Sequence, residues 1–393
     1  MDFQLNREQK MLVDLARKLG KNEFAPKAAY YDINHEYPHE NVKKMLEAGF
    51  LGMTIPKKYG GVERPLIDVI LVIEQIAQFC GISGRIVVET NMGALGVIMA
   101  YGTEEQRKKV AKRVLEQGDK PAIGMTEPNA GTALTSLQTK AVQKGSHYVL
   151  NGLKHWITGG GIAQTNLIFS RIINKNGVDQ GIGGVLVDKG TPGFSFGKIE
   201  DALGLRGIPE TELIFEDCEI PEENIVVCDP REGFKKLMNG YNAQRIGAGT
   251  VALGIAQGAH DLAVDYMLKR EQFDKKLCEF QGLQWITAKG EMSLNAARLL
   301  LYKAACNAKQ LPNNVMLPHM KDASIAKAFT AHAAFEVVSD SLQMFGATGY
   351  SRELPLERML RDVRMFQIGG GTSQAQLNMI ARSVFGRKFD FRK

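Results

Sequence analysis

The spacing of apolar residues changes twice along the chain, and these two changes constrain the fold more than any other feature. In residues 1–120, apolar residues recur at helical spacing, as Met11, Leu15 and Leu19 do. Short runs of β-branched and aromatic residues replace this pattern from Pro121 to about residue 225, and helical spacing then returns. The sequence therefore predicts an α+β protein with three domains: an all-α domain (1–120), an antiparallel β-barrel or sandwich (121–230) and a C-terminal four-helix bundle (231–393).

Local signals predict several element boundaries. Asn6 and Gln9 have the spacing of a capping box at the start of a helix. An apolar segment at 66–80 predicts a buried helix that ends at Gly81, and 85–101 predicts one further helix. The Asn-Gly pairs at 151–152 and 176–177 predict two hairpin turns, because both residue types accept positive φ. Residues 232–269 predict a single long helix rich in small residues.

Composition excludes several classes of protein. The net charge of +6 on 393 residues comes from interleaved acidic and basic residues, so no basic tract for nucleic acid is present. Apolar runs are too short to span a bilayer, and the polar first ten residues predict no signal peptide. The five cysteines form no C-x-x-C pair and the seven histidines have no metal-ligand spacing. We therefore expect a cytoplasmic protein without a metal site or a membrane partner.

Three consecutive glycines, Gly369, Gly370 and Gly371, separate a charged helix from a new helical pattern. Glycine lacks Cβ, so such a run lets the backbone approach a ligand closely and adopt positive φ. A flexible turn between two helices is the other interpretation, and the composition of the run alone favours it. The glycines alone do not decide between these two interpretations.

Seven motifs decide the family that the chain resembles. They occur in one order along the chain, on the elements where the family has them: 125–132 (MTEPNAGT), 152–158 (GLKHWIT), 204–206 (GLR), 270–273 (REQF), 343–350 (QMFGATGY), 361–362 (RD) and 371–372 (GT). With these motifs the chain resembles the flavin-dependent acyl-CoA dehydrogenases from end to end.

The resemblance implies an FAD cofactor, an acyl-CoA thioester substrate and a homotetramer. Met125, Thr126 and Thr132 would line one side of the flavin ring and Trp156 and Thr158 the other, with Thr132 also near the substrate. We expect the His155 ring to face away from Trp156. The remaining implied FAD contacts lie near the pyrophosphate and adenosine, partly across a subunit interface: Arg270, Phe273, Gln343, Gly346, Thr372 and Gln374. Ala347 departs from the family, which has a second glycine after Gly346.

The glutamate that removes the α-proton in family dehydrogenases is missing. By the resemblance it would stand at Gly370, or in other members at Gln244, directly before Arg245. Glycine has no side chain and an amide does not titrate near neutral pH, so neither residue can be a general base. The pocket is therefore predicted to carry out chemistry other than dehydrogenation.

A branch of the superfamily, the 3-sulfinopropionyl-CoA desulfinases, resembles the chain more specifically. The stretches that carry this resemblance include 84–85 with Asn91, 120–123, 156–161, 206–211, 241–245, 280–285 and 369–372. It implies that Arg85 binds the sulfino group, that the Gly370 N–H binds the thioester oxygen, and that Gln244 orients the acyl chain in front of Arg245. The expected products are propionyl-CoA and sulfite, without net redox chemistry.

Two alternatives remain open at this point. One is an acyl-CoA dehydrogenase or enoyl-CoA reductase that works with an electron-transferring flavoprotein. The other is a flavoprotein that binds acyl-CoA without turning it over, having lost its base. Flavin bleaching by butyryl-CoA or glutaryl-CoA would favour the first, and tight binding without turnover would favour the second.

Overall fold

The first layer of the molecule is a group of helices. The structure, a computed structural model, describes residues 4–386 together with Lys388 and Asp390. The helices of this layer are α1 (Arg7–Leu19), α2 (Ala25–Asn34), α3 (His39–Glu47), α4 (Leu66–Ala77), α5 (Gly81–Glu89), α6 (Ala94–Tyr101) and α7 (Glu104–Gln117). The predicted capping box at Asn6 is confirmed, because the Asn6 side chain accepts from the Gln9 N–H and the Gln9 side chain accepts from the Asn6 N–H. Within the described residues, no helix combines the length and apolar character needed to cross a membrane.

Two predicted boundaries in this layer are wrong. Helix α4 ends at Ala77, and Gly81 begins α5, so Arg85 lies in the middle of a helix. The single helix predicted for 85–101 is interrupted between α5 and α6. The Thr90 hydroxyl bonds back to the Ile86 carbonyl and Asn91 bonds the Val87 and Phe50 carbonyls, while Gly93 adopts φ +59°. These bonds end α5, and the chain changes direction before α6 begins.

The second layer is one sheet whose strands are β1 (Ala122–Gly124), β2 (Lys140–Lys144), β3 (His147–Thr158), β4 (Thr165–Ile173), β5 (Asp179–Asp188), β6 (Phe194–Ile199), β7 (Glu210–Pro221) and β8 (Ile225–Val227). Their order is β6-β7-β3-β2-β4-β5-β8, with β1 paired to β4. The antiparallel prediction holds for most pairs, but β1 and β2 run parallel to β4. The sequence pattern missed β1, β6 and β8: β1 and β8 are too short to show a period, and Gly197 interrupts β6.

One of the two predicted Asn-Gly hairpins is wrong. Asn176 and Gly177 do join β4 to β5, as expected. Asn151 and Gly152 lie inside the continuous strand β3, where the register against β7 shifts between Leu150 and Gly152. A Cβ on Gly152 would lie 2.5 Å from the Thr139 hydroxyl oxygen, so the glycine permits a bulge and a close approach here.

The third layer contains α8 (Gly233–Gly240), α9 (Asn242–Met267), α10 (Gln281–Cys306), α11 (Met320–Phe345), α12 (Ala347–Tyr350), α13 (Leu356–Arg364) and α14 (Ser373–Phe385), with two small ribbons, β9–β10 (Glu271–Gln272 and Lys275–Lys276) and β11–β12 (Lys309–Gln310 and Met316–Leu317). The long helix predicted for 232–269 is two helices that meet at Tyr241. Gly254 and Gly258 let α9 touch α4, because a Cβ there would lie 2.6 Å and 2.2 Å from the Glu74 and Gln78 carbonyl oxygens. Helices α9, α10 and α11 form one hydrophobic core with α4 and α5.

Candidate active site

A cavity of about 1400 Å³ lies between α5, the sheet, α9 and the segment that carries the three glycines. Most of the residues predicted for the site line it: Arg85, Met125, Thr126, Thr132, Trp156, Thr158, Gln244, Arg245, Gly370 and Thr372. Arg270, Phe273, Gln343, Gly346 and Gln374 do not line it; they are exposed on the same protomer. The structure therefore brings together the residues predicted around the flavin ring and the acyl group. Of the predicted outer contacts, Thr372 lines this cavity and the other five lie outside it.

Trp156 is on the cavity wall in an unusual backbone conformation. Its φ is +58° and the register of β3 against β7 shifts between Lys154 and Ile157. The indole remains 49% exposed. The prediction that His155 faces away from it is wrong, since the two rings stack with centroids 5.5 Å apart and an interplanar angle of 29°. The bulge, which removes strict strand alternation, puts both rings on one side.

His155 also joins an acidic pair that the sequence spacing did not reveal. Its Nε2 lies 2.9 Å from Glu200 and 3.8 Å from Glu212. One ring nitrogen of His155 and one carboxylate oxygen from each glutamate lie within 4.8 Å of one another. The Lys198 amine, 2.7 Å from Glu200, already neutralises part of this charge. The group is a charge-paired surface network beside Trp156.

A buried ion pair holds the loop that carries Met125 and Thr126. The Lys154 amine lies 2.7 Å from Glu127 Oε1 and donates to the Met125 carbonyl at 3.2 Å. Glu127 also accepts from the backbone N–H groups of Gln138 and Thr139. Burial lowers the pKa of Lys154 to about 8, against the opposing effect of Glu127. The loop is thus fixed to β3 at the cavity wall.

Arg85 belongs to a buried network of two cations and two carboxylates. Its Nε lies 3.2 Å from Glu89, and its Nη2 lies 3.1 Å from Glu210 Oε1 and donates to the Thr158 hydroxyl at 2.5 Å. Lys120 pairs with Glu89 and donates to the Thr158 carbonyl at 3.1 Å. Among the described residues, Arg85 Nη1 has no partner. One end of the guanidinium is therefore free to bind a ligand group.

Glu89, Lys120 and Glu210 are site residues that sequence reasoning missed. Lys120 and Glu210 do lie in stretches that resemble the desulfinases, and that was the only available signal. Their roles depend on contacts between α5, the segment before β1, and β7, elements that are far apart in the chain. Nothing in the spacing of these residues along the chain predicts such contacts.

The three glycines are held in place and do not form a loose turn. Gly370 and Gly371 have φ of +70° and +89°, which confirms that the run uses the conformations open to glycine. The Gln376 side chain donates to the carbonyls of Gly370 and Gly371 at 3.4 and 3.3 Å, and Lys327 also donates to Gly371. In the described part of the chain, the Gly370 N–H has no acceptor.

Behind the glycines lie two buried basic side chains. Lys327 is fully buried, and burial together with the nearby Arg245 charge lowers the pKa of its amine to about 7. Burial also lowers the pKa of Arg245, whose Nη1 donates to Asn242 at 2.5 Å. No carboxylate of the described residues pairs with Arg245, and the Oε1 atom of the adjacent Gln244 is buried without a partner. This part of the cavity is electropositive and has unused hydrogen-bonding capacity.

Four of the five outlying predicted residues lie at one end of the helical layer, whereas Gln374 lies in the first turn of α14. The ends of α9 and α11 lie side by side, with the Tyr266 and Phe345 rings stacked at 4.1 Å between centroids. Arg270 and Phe273 follow the end of α9, and Gln343 and Gly346 lie at the end of α11. These four residues therefore lie together outside the cavity of their own protomer.

The three layers and the cavity between them define an acyl-CoA dehydrogenase-type enzyme. Family models for the acyl-CoA dehydrogenase N-terminal, middle and C-terminal domains match residues 6–117, 122–218 and 231–385. The chain belongs to this family. It is 49% identical to a 3-sulfinopropanoyl-CoA desulfinase of Cupriavidus necator over 98% of this chain and 97% of the relative, and 45% identical to one of Paraburkholderia xenovorans over 100% and 99%.

A solved structure of butyryl-CoA dehydrogenase from Megasphaera elsdenii has the same fold. It superposes with a TM-score of 0.90 at 35% identity and covers 98% of this chain and 100% of that one. The predicted combination of a helical domain, a β domain and a helical bundle is therefore confirmed. The resemblance to this family and to its desulfinase branch is confirmed by the same comparisons.

The residues of the cavity fit a flavin, the cofactor of this family. A flavin ring needs an apolar face to stack on and polar groups along its edge. The half-exposed Trp156 indole offers the face, and the Thr158 hydroxyl and the Met125–Thr126 segment offer polar groups beside it. The volume exceeds that of an ordinary small-ligand pocket, so a flavin and an acyl chain can share it.

Proposed function

We propose that the protein is an FAD-containing desulfinase that converts 3-sulfinopropionyl-CoA and water into propionyl-CoA and sulfite without net redox chemistry. The observation that carries this proposal is Arg85, a guanidinium on the cavity wall with Nη1 free. A planar guanidinium matches the two oxygens of a sulfinate, as it matches a carboxylate. The names of the full-length relatives support the same reaction.

The absence of a base at two positions argues against acyl-CoA dehydrogenation. Gly370 presents only backbone, and Gln244 presents an amide. Among the described residues, a Cβ at Gly370 would meet Lys327 Cε at 3.9 Å and Ala248 Cβ at 4.0 Å, and neither atom belongs to a carboxylate. Loss of a general base costs a factor on the order of 10²–10⁴ in the rate of proton removal. An acyl-CoA with a leaving group at Cβ is therefore a better substrate than a saturated one.

The chain's own residues supply binding and orientation. We assign the Gly370 N–H to the thioester oxygen, because it points to no protein acceptor and its segment is held by Lys327 and Gln376. Gln244 and Thr132 line the path of the acyl chain, and Arg245 adds positive charge behind it. Arg85 holds the sulfinate and so fixes the position of the Cβ–S bond in the cavity.

The cofactor would be held in two parts. Met125, Thr126, Trp156, Thr158 and Thr372 line the cavity and are assigned to the flavin half of FAD. We assign Arg270, Phe273, Gln343, Gly346 and Gln374 to the adenosine diphosphate half bound by a neighbouring subunit of a homotetramer, because they lie outside the cavity of their own protomer. FAD supplies a flat, polar surface that orients the thioester in this reaction.

A sulfite assay tests the proposal. Purified protein with its flavin is mixed with 3-sulfinopropionyl-CoA, and sulfite and propionyl-CoA are measured together; equal amounts of both are expected. The flavin spectrum is followed in parallel with butyryl-CoA, and no bleaching is expected. Bleaching without sulfite release would instead identify a dehydrogenase or reductase, whereas binding without either signal would identify a non-catalytic acyl-CoA binding protein.

A further inference from the structure

Cleavage of the Cβ–S bond leaves an electron pair on Cβ, and this carbon must gain a proton to become the methyl group of propionyl-CoA. The proposed function so far names a residue for the sulfinate and one for the thioester, but no acid. An acid must lie close to Arg85, because Arg85 holds the sulfur that leaves. Two carboxylates, Glu89 and Glu210, contact Arg85 and line the cavity.

We propose that Glu210 is the acid that protonates Cβ as the carbon–sulfur bond breaks. Its Oε1 lies 3.1 Å from Arg85 Nη2, and its two oxygens lie 3.1 and 2.9 Å from the Thr158 hydroxyl. Glu210 is opposite Thr158 in the register of β7 against β3, so the carboxyl is carried by a rigid element. A sulfinate on Arg85 places its own Cβ beside this carboxyl.

Glu210 suits this role better than Glu89 because the charges around the two differ. Glu89 contacts two cations, Arg85 and Lys120. Within the described part of the chain, Glu210 has an ion pair with Arg85 alone. Burial raises the pKa of Glu210, the Arg85 charge opposes this rise, and the nearby Glu89 charge adds to it.

Binding of the substrate favours the protonated form of Glu210. Without substrate, the groups that face Glu210 are Arg85 and Lys120, which are positive, Glu89, which is negative, and the buried phenol of Tyr241. Together with an ionised Glu210 the charges sum to zero. A sulfinate adds one negative charge beside Arg85, and a like charge nearby favours the neutral form of a carboxyl. Proton uptake by Glu210 restores the balance.

The atoms and electrons of this step balance without an external oxidant or reductant. The Cβ–S electron pair stays on carbon, which is formally reduced, and takes the proton from Glu210; sulfur leaves as sulfur dioxide and is formally oxidised. Water adds to sulfur dioxide to give hydrogen sulfite and one proton, which can return to Glu210. The sum is sulfinate plus water giving propionyl-CoA plus hydrogen sulfite. This inference rests on the proposed desulfination.

The substitution Glu210→Gln tests the proposal, because an amide keeps the size and the contacts but cannot donate this proton. We expect kcat for sulfite release to fall by a factor on the order of 10²–10⁴. The affinity for the substrate, followed by perturbation of the flavin spectrum, should change far less. Glu210→Asp should restore part of kcat. Glu212→Gln, the same change two residues along β7 and outside the cavity, should leave kcat near wild type.

A pH profile separates a proton donor from a structural role. In the wild type, kcat should fall as pH rises through the pKa of the loaded acid, and this limb should be missing from Glu210→Gln. A Glu210→Gln enzyme that keeps both kcat and the limb would overturn the inference while leaving the desulfination intact. If Glu210→Gln loses its flavin, Glu210→Asp decides: an unshifted limb overturns the inference. A wild type that releases no sulfite overturns both.

Discussion

The amine of Lys327 donates a hydrogen bond to the carbonyl of Gly371, and so ties helix α11 to the run of three glycines. Lys327 is fully buried and pairs with no carboxylate among the described residues, which is costly because burial removes water from its charge. Its bond to the Gly371 carbonyl offsets part of this cost. The bond fixes the segment that carries Gly370, which lines the cavity.

The charge of Lys327 predicts a pH-dependent stability. Its amine releases its proton near pH 7 in the folded protein and near 10.5 in the unfolded chain, so between these values the unfolded chain binds more protons. The contribution of this group to the free energy of unfolding must therefore rise with pH across that window. We expect the melting temperature of the wild type, relative to that of Lys327→Met, to increase as pH rises from 7 to about 9.

The matched control for this prediction is Lys321→Met, which removes a lysine from the first turn of the same helix. Its melting curve should stay parallel to that of the wild type at every pH. Melting is measured on the flavin-loaded protein by a near-ultraviolet signal. Parallel curves for Lys327→Met as well would show that the buried amine does not titrate in this range.

Arg85→Lys should weaken substrate binding strongly. Lysine keeps the charge but loses the planar fork that binds two oxygens at once. A charged hydrogen bond contributes about 1.5–3 kcal/mol, so KM for 3-sulfinopropionyl-CoA should rise on the order of 10- to 100-fold. Binding of propionyl-CoA, which has no sulfinate, should change little. Steady-state sulfite release and product inhibition measure the two quantities.

Arg245→Lys serves as the comparison, since Arg245 is a second buried guanidinium on the cavity wall and lies beside Gln244. Our assignment requires the larger change in KM at Arg85. The reverse order would move the sulfinate site to Arg245, which has no carboxylate partner among the residues described.

Gln244→Glu should introduce a base into the pocket. The Gln244 side chain extends over Gly93, where a Cβ would lie 2.7 Å from its Oε1, and a carboxylate there would be next to the Arg245 charge. With a base at the position where some family members have one, butyryl-CoA should bleach the flavin under anaerobic conditions. Gln244→Met, of similar length but without a titratable group, should not bleach. Equal spectra for both variants would refute the prediction.

Trp156→Ala should release flavin. The indole is the largest flat surface of the cavity, and its removal leaves the flavin ring without a stacking partner. We expect the flavin-to-protein absorbance ratio after gel filtration to fall for Trp156→Ala and to be largely kept for Trp156→Phe. Retention of flavin by the alanine variant would indicate that the ring binds elsewhere in the cavity.

Sequence patterns predicted the architecture well because local forces set it. Helical spacing, the Asn6 capping box and the Asn176-Gly177 turn each depend on residues a few positions apart, and all three appear in the structure. The errors fall where long-range contacts compete with local preference. Asn151 and Gly152 form a bulge and not a turn because Thr139 packs against them, and α5 stops because Asn91 reaches Phe50.

The sequence by itself determined that neither Gly370 nor Gln244 can remove a proton, since a residue's identity limits its chemistry in any fold. It also determined which family to compare, through motifs spread along the chain. Only the tertiary structure decided that Arg85 shares its charge with Glu89 and Glu210 and that Lys327 holds Gly371. Strand register and helix packing create these contacts between residues far apart in sequence, and no local pattern encodes them.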